Sequence, residues 1–266
     1  MVDHPQQIPE LGDDHILWGG HATVRIVLGG EAVLTDPVLR RRVMHLQRVV
    51  PLVDGLDRQL TAVVISHLHH DHLDVASLRM LPADVPIVVP AGARPVLGRL
   101  AGRTVIELVP GESVDCGTLT IRATPAKHDG RRAGRRSVHA PALGYLIECD
   151  VRTVYFAGDT DLFAGMDELA PRIDCALLPV WGWGPTLGKG HLDPARAAEA
   201  LGLIRPRIAI PIHWGTFRPR IGRPGARAFL RTPGPRFAEA AARIAPDVVV
   251  RVIAPGERVV LAPRAA

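Results

Sequence analysis

Lysine is nearly missing from this chain of 266 residues: of its 32 basic side chains only Lys127 and Lys189 are not arginine. Cysteine is as scarce. Cys116, Cys149 and Cys175 are dispersed, odd in number and in no CxxC pair. That argues against a disulfide framework and fits reduced, structural thiols in a cytoplasmic protein. Aromatic residues make up 4% of the chain. The arginine clusters at residues 40–42, 131–136 and 218–231 therefore lack aromatic interleaving, and no nucleic-acid partner is expected despite a formal charge of +5. No apolar run approaches the roughly 18 residues that span a bilayer, so no transmembrane segment is expected. The first residues, Met1 to Gln7, have neither a basic start nor an apolar core, which argues against a secretory leader.

What is present is an ordinary hydrophobic content of 47%, enough for a sizeable core. It is arranged in short apolar runs. Residues 15–18, 23–28, 32–35, 63–65, 86–89, 143–148, 153–157, 175–178, 208–212, 248–253 and 258–261 read as strands, and residues 104–124 as a strand meander. Helices are expected at 75–81, 93–100, 163–169, 194–204 and 236–244. Asp74 and Asp193 stand as N-caps, and Pro194 opens its helix. Residues 38–58 read as irregular and basic, and 129–141 as a loop. Strand clusters alternating with helices in two similar halves predict an α/β fold of αββα type: two mixed β-sheets packed as a sandwich with helices on the outer faces. No linker divides the chain, so a single domain over residues 1–266 is expected.

The densest chemistry follows one strand, in Val63-Val64-Ile65-Ser66-His67-Leu68-His69-His70-Asp71-His72-Leu73-Asp74. Neutral imidazole and carboxylate are the donors that borderline divalent cations prefer. His67 and His69, two apart at a strand end, point the same way and can grip one ion. Asp71 and His72 follow at the turn, where they could serve a second. Potential donors recur at later strand ends as His128, Asp159 and His213. A rim of strand ends is a rigid place to converge such groups.

This HxHxDH segment followed by a distal His, Asp and His resembles the metallo-β-lactamase superfamily. Gly20-His21-Ala22-Thr23, Leu34-Thr35-Asp36-Pro37, Gly158-Asp159-Thr160, His191-Leu192-Asp193-Pro194 and His213-Trp214-Gly215-Thr216-Phe217 are similar to the branch holding N-acylphosphatidylethanolamine-hydrolysing phospholipase D and ascorbate-6-phosphate lactonase. The resemblance implies the metallo-β-lactamase fold and two divalent ions, zinc first, with manganese, iron or nickel as alternatives. It implies His67, His69 and His128 on the first ion, Asp71, His72 and His213 on the second, and Asp159 bridging. It implies catalytic roles for Asp71, orienting a metal-bridging hydroxide, and for His191 beside the substrate. His21 and Asp36 are expected to support the ligands from behind or to form a structural pair, rather than to bind metal, with His70 facing away and His4, His15, His45 and His139 ordinary. Arg131, Arg132 and Arg135 are weighed as phosphate contacts against solvated loop residues.

The activity so implied is hydrolysis of a small anionic or lipid-derived substrate, first a phosphodiester. Opening of a phosphorylated sugar lactone is the alternative, ahead of β-lactamase-like turnover or a non-catalytic metal-binding role. A homo-oligomer is compatible with the sequence.

Overall fold

The computed structural model describes residues 13–98, 100, 102–133, 137–169, 171–220 and 228–262. The strands in chain order are β1 (His15–Gly20), β2 (Thr23–Leu28), β3 (Glu31–Thr35), β4 (Arg42–Val43), β5 (Leu46–Arg48), β6 (Ala62–Val64), β7 (Ile87–Pro90), β8 (Val105–Leu108) and β9 (Ser113–Cys116). They continue as β10 (Leu119–Pro125), β11 (Leu143–Cys149), β12 (Arg152–Phe156), β13 (Cys175–Pro179), β14 (Ile208–Ile212), β15 (Phe217–Pro219), β16 (Val249–Val250) and β17 (Arg258–Val260). The helices are α1 (Val75–Leu78), α2 (Arg94–Leu97), α3 (Pro194–Ile204) and α4 (Pro233–Ile244), with 3-10 turns at Met166–Glu168 and Ala228–Leu230.

Two seven-stranded mixed sheets form the sandwich. The first runs β17-β1-β2-β3-β6-β7-β8 and the second β16-β14-β13-β12-β11-β10-β9. In each, antiparallel hairpins feed into parallel strands: β3, β6, β7 and β8 in the first, and β12, β13, β14 and β16 in the second. Parallel strands bury both faces, which is why β6, β13 and β14 are apolar throughout rather than alternating.

The inner faces meet in a core that joins Ile16, Ile26, Val33 and Val64 of the first sheet to Ile121, Tyr145, Phe156 and Ile210 of the second. The outer face of the second sheet packs Ala176 and Leu178 under Leu201 of α3 and Phe237 of α4. The outer face of the first packs Val63, Ile87 and Val89 under Leu78 and Leu97. The αββα layering is therefore as expected.

The helix caps follow from side-chain chemistry. Asp193 accepts hydrogen bonds from the backbone N–H groups of Ala195 and Arg196, both at 2.9 Å, and Pro194 occupies the first turn. Asp74 accepts from the Ser77 N–H at 3.1 Å and the Ser77 hydroxyl at 2.6 Å, and it holds Arg40 through two bonds of 2.7 Å.

Other expectations shift. The segment 38–58 is not wholly irregular: β4 and β5 make a hairpin that pairs with β15 in a separate three-stranded sheet. The helix expected at 163–169 shrinks to a 3-10 turn, the one at 75–81 stops at Leu78, and α4 starts earlier, at Pro233. The strand expected at 248–253 reduces to Val249–Val250. Among the described residues, no helix is long and apolar enough to cross a membrane.

Candidate metal centre

Six strand ends deliver the polar cluster. β1 leads to His21, β3 to Asp36, β6 to the 66–74 segment, β10 to His128, β12 to Asp159 and β14 to His213. Three of these residues take positive φ without being glycine: His21 at 54°, Asp36 at 34° and His213 at 64°. Such conformations cost of order 1–3 kcal/mol each and persist only where the surroundings dictate them, which is common at working sites. Gly158, before Asp159, has φ 60°, and a Cβ there would meet Ser66 Cβ at 2.5 Å, so this turn admits only glycine.

The donors fall into two adjoining sets. His67, His69 and His128 each offer a ring nitrogen within a sphere small enough for one cation; a carboxylate oxygen of Asp71 and ring nitrogens of His72 and His213 do the same, joined there by His21. His69 Nδ1 and His128 Nε2 are 3.2 Å apart, and His72 Nε2 and His213 Nε2 are 3.0 Å apart. Asp159 lies between the sets. Its Oδ2 is 3.3 Å from His72 Nε2 and its Oδ1 is 3.2 Å from His213 Nε2. His128, Asp159 and His191 also converge closely enough to share an ion.

The backs of the rings are held as firmly as the fronts are left open. Asp36 accepts from the Ser66 N–H at 2.7 Å, the Ser66 hydroxyl at 2.6 Å and His72 Nδ1 at 2.7 Å, all fully buried. His213 Nδ1 donates to the Trp181 carbonyl at 2.7 Å, and His128 Nδ1 to the Gly190 carbonyl at 2.8 Å. His21 Nε2 is 3.0 Å from Asp71 Oδ2. His21 and Asp36 hold expected donors from behind, in keeping with the supporting role read for them, but they do not pair with each other: His21 supports Asp71 and Asp36 supports His72. A ring whose Nδ1–H is bonded away presents its Nε2 lone pair inward, the form a cation needs.

Electrostatics agree with that form for most of the rings. His72 differs: burial lowers it, but the carboxylates of Asp159 and Asp36 on either side outweigh that and raise it well above the ordinary histidine range, a positive charge that a cation in its place would supply. Burial, then the neighbouring His72 and His128, push His69 down to about 4, so its nitrogens are neutral near pH 7. Burial likewise carries His67 and His213 well below the ordinary histidine range. Burial opposes ionisation of Asp159, but the charges of His213 and His72 overcome it and hold the carboxyl well below its usual value. Asp71 is held down the same way, by the His21 hydrogen bond and the charges of His72 and His21.

Whether these groups suit a cation is decided by one atom. His67 Nε2 is fully buried and has no hydrogen-bond partner, although the rings of His69, His72 and His128 stand 4.1–4.7 Å from its own. An unsatisfied buried nitrogen costs about 1–3 kcal/mol. A divalent cation among these nitrogen and oxygen donors removes that cost, so the donors fit it.

A cavity of about 560 Å³ opens over the cluster. His191 lines it, with Nε2 3.4 Å from Asp159 Oδ2. His70 and His45 line it as well, against the expectation that one faces away and the other is ordinary. His45 meets Trp183 edge-on at 4.9 Å. The arginines divide. Arg132 is neither a free cation nor a solvated one: it donates to the carbonyls of Leu68 and Leu73 at 2.9 and 2.8 Å and to His70 Nδ1 at 2.7 Å. Arg131 is half exposed, 3.8 Å from Asp129. Arg135 and His4 lie outside the described residues. Sequence reasoning missed the carbonyls of Trp181 and Gly190, because main-chain acceptors leave no mark in residue type.

The family model of the β-lactamase superfamily domain matches residues 31–214, the span from β3 through the last expected donor. The chain belongs to the β-lactamase superfamily. Among its relatives in this superfamily is N-acyl-phosphatidylethanolamine-hydrolyzing phospholipase D 1 of Caenorhabditis elegans. It is 32% identical over 227 residues, covering 75% of this chain and 63% of the worm protein. A metal-dependent hydrolase of Nitratidesulfovibrio vulgaris is 33% identical over 255 residues, covering 92% and 95% of the two chains. Among solved structures, the metallo hydrolase Igni18 of Ignicoccus hospitalis superposes with a TM-score of 0.72 at 25% identity, covering 95% of this chain and all of that one.

Proposed function

We propose that this metal-dependent hydrolase of the β-lactamase superfamily cleaves a phosphodiester bond, with two divalent cations, zinc first, held at the rim of its sandwich. The observation that carries the reading is the pair of donor sets flanking Asp159, with His67 Nε2 buried and unpartnered among them. The worm phospholipase, similar over 75% of this chain, supports a phosphodiester as the substrate class.

His67, His69 and His128 would hold one cation and Asp71, His72 and His213 the other, with Asp159 shared. Bound there, the cations would lower the pKa of a coordinated water to about 7 and polarise the phosphoryl oxygen. Every other part belongs to the chain. Asp36 and Ser66 hold His72 and the start of the donor loop in register. The Trp181 and Gly190 carbonyls fix the rings of His213 and His128. Asp71, steadied by His21, offers a carboxylate that can orient the attacking water. His191 faces the same cavity and can hydrogen-bond a phosphoryl oxygen through Nε2 or give a proton to the leaving oxygen there. Leu46, Trp183 and Leu187 also line the cavity and suit an uncharged part of the substrate.

The test is hydrolysis of bis(p-nitrophenyl) phosphate by zinc-loaded protein. Turnover should be lost with chelator and regained with zinc. Turnover of lactones with none of any phosphodiester would overturn the substrate class while leaving the hydrolase intact.

A further inference from the structure

The donors are not all held by the same kind of support. His72 is fixed by Asp36 and His67 lies beside Ser66, both at the ends of strands in the first sheet. Asp71 is fixed by His21, whose own N–H and carbonyl are tied to Thr216 at 2.7 Å and to the His213 N–H at 2.9 Å. His128 and His213 differ: what holds each ring is a main-chain oxygen of one loop, the connection between β13 and α3. Trp181 supplies the acceptor for His213 at one end of that loop and Gly190 the acceptor for His128 at the other. His128 belongs to one donor set and His213 to the other. The same loop carries His191, whose ring stands 4.6 Å from that of His128.

The loop is itself pinned at few points. Val180 N–H donates to the Ile212 carbonyl at 3.1 Å, and at the far end Leu192 is buried ahead of the Asp193 cap. Between these, Trp183 packs on the small cluster of Val38, Val43, Leu46 and Phe217, and its ring meets His45. Gly190 has φ +76°, and a Cβ there would sit 3.3 Å from both His128 Nδ1 and the Lys127 carbonyl. A side chain at that position would therefore strain the backbone and press on the ring whose nitrogen the Gly190 carbonyl holds.

We infer that loop 181–191 is the positioning element of the metal centre: through the carbonyls of Trp181 and Gly190 it sets one imidazole in each donor set, so its seating on the three-stranded sheet through Trp183 governs cation affinity at both positions together. The inference rests on the donor assignment above. It goes beyond that assignment in giving residues that touch no cation control over both.

The experiment measures cobalt and zinc binding, by chelator competition and by the visible absorption of the cobalt-loaded protein, in wild type, Gly190→Ala, Trp183→Ala and Trp183→Phe. Removing the groups that orient metal-binding imidazoles typically weakens affinity about 10–100-fold. Gly190→Ala should weaken one equivalent by that factor and alter the cobalt spectrum. Trp183→Ala should weaken both, and Trp183→Phe should recover most of the loss. Circular dichroism checks that each variant is folded; if Gly190→Ala is not, the two Trp183 variants decide. Wild-type affinity and an unchanged spectrum in Trp183→Ala would overturn the inference. A wild-type protein that binds no cation would overturn the donor assignment first, and the two failures are distinguishable because only the second appears without any substitution.

Discussion

Asp159 and His191 face each other across 3.4 Å, yet their removal should have opposite consequences. Asp159→Ala takes away a carboxylate that lies close to members of both donor sets, which would leave the two proposed cations in close repulsion. It should strip the protein of metal, as read by elemental analysis, and with it all hydrolysis. His191→Ala should keep the proposed cations and nearly unchanged thermal stability while lowering kcat by about 10²–10⁴-fold, the usual worth of a general acid. Loss of metal in His191→Ala would instead make it a ligand alongside His128 and Asp159, a grouping the geometry permits. Asp36→Asn, which disturbs the support of His72 and the anchoring of Ser66 at the start of the donor loop, should sit between these, weakening metal affinity about 10–100-fold.

The residue scale is also where the sequence was most legible. His67, His69, Asp71 and His72 lie close along the chain, and His128, Asp159 and His213 each follow an apolar strand, so their convergence could be read from spacing and resemblance. The positive φ of His21, Asp36 and His213 could not, since nothing in those residue types requires it.

At the scale of elements, legibility followed locality. Asp193 and Pro194 announce α3 within four residues, because a cap bonds only to its own first turn. Asp193→Ala should cost about 1 kcal/mol, measurable as a lowered urea midpoint with unchanged kcat. The β4–β5 hairpin left no such local sign. It exists because β15, far along the chain, pairs with β5, with Phe217 opposite Arg48, and its inward Val43, Leu46 and Phe217 bury one another. A segment whose partner is distant looks irregular when read alone.

Arg132 shows the same thing in a side chain. Read alone it is one arginine of a basic run. In the fold it ties the loop after His128 to the loop after His67, through the carbonyls of Leu68 and Leu73. Arg132→Met should leave those acceptors unsatisfied and cost about 1–3 kcal/mol. The loss should appear as a lowered melting temperature even in protein stripped of metal, which a substrate-binding arginine would not show.

For the whole molecule, cation binding and acid act on stability in ways that can be separated. Cations that bind only the folded chain stabilise it by about 2.7 kcal/mol at a concentration of 100 times Kd, so chelation should lower Tm by on the order of 5–10 °C. Acid adds a second effect away from the metal centre, at His15. This residue is buried at the start of β1, opposite Val27 and Val260, with its Nδ1 2.7 Å from the Asp13 carbonyl. Burial lowers its pKa; the Asp13 carbonyl and carboxylate pull it back up, while Arg258 and Arg25 push it further down. The native chain therefore holds His15 neutral at a pH where the unfolded chain has begun to protonate it. Stability from this group is complete above the ordinary histidine value near 6.5 and falls as pH drops through that value, because the unfolded state then binds the extra proton. The loss runs only between that value and the lowered pKa of the native chain, below which both states carry the proton and this group adds nothing further. His15→Phe, which cannot protonate, should flatten the loss of stability between pH 7 and 5 relative to wild type when both are unfolded by urea in chelator. Taking the difference in chelator cancels the histidines of the metal centre, which are common to both proteins. Parallel curves for the two would mean that His15 protonates in the native strand as readily as in the unfolded chain, and the acid sensitivity would have to arise elsewhere.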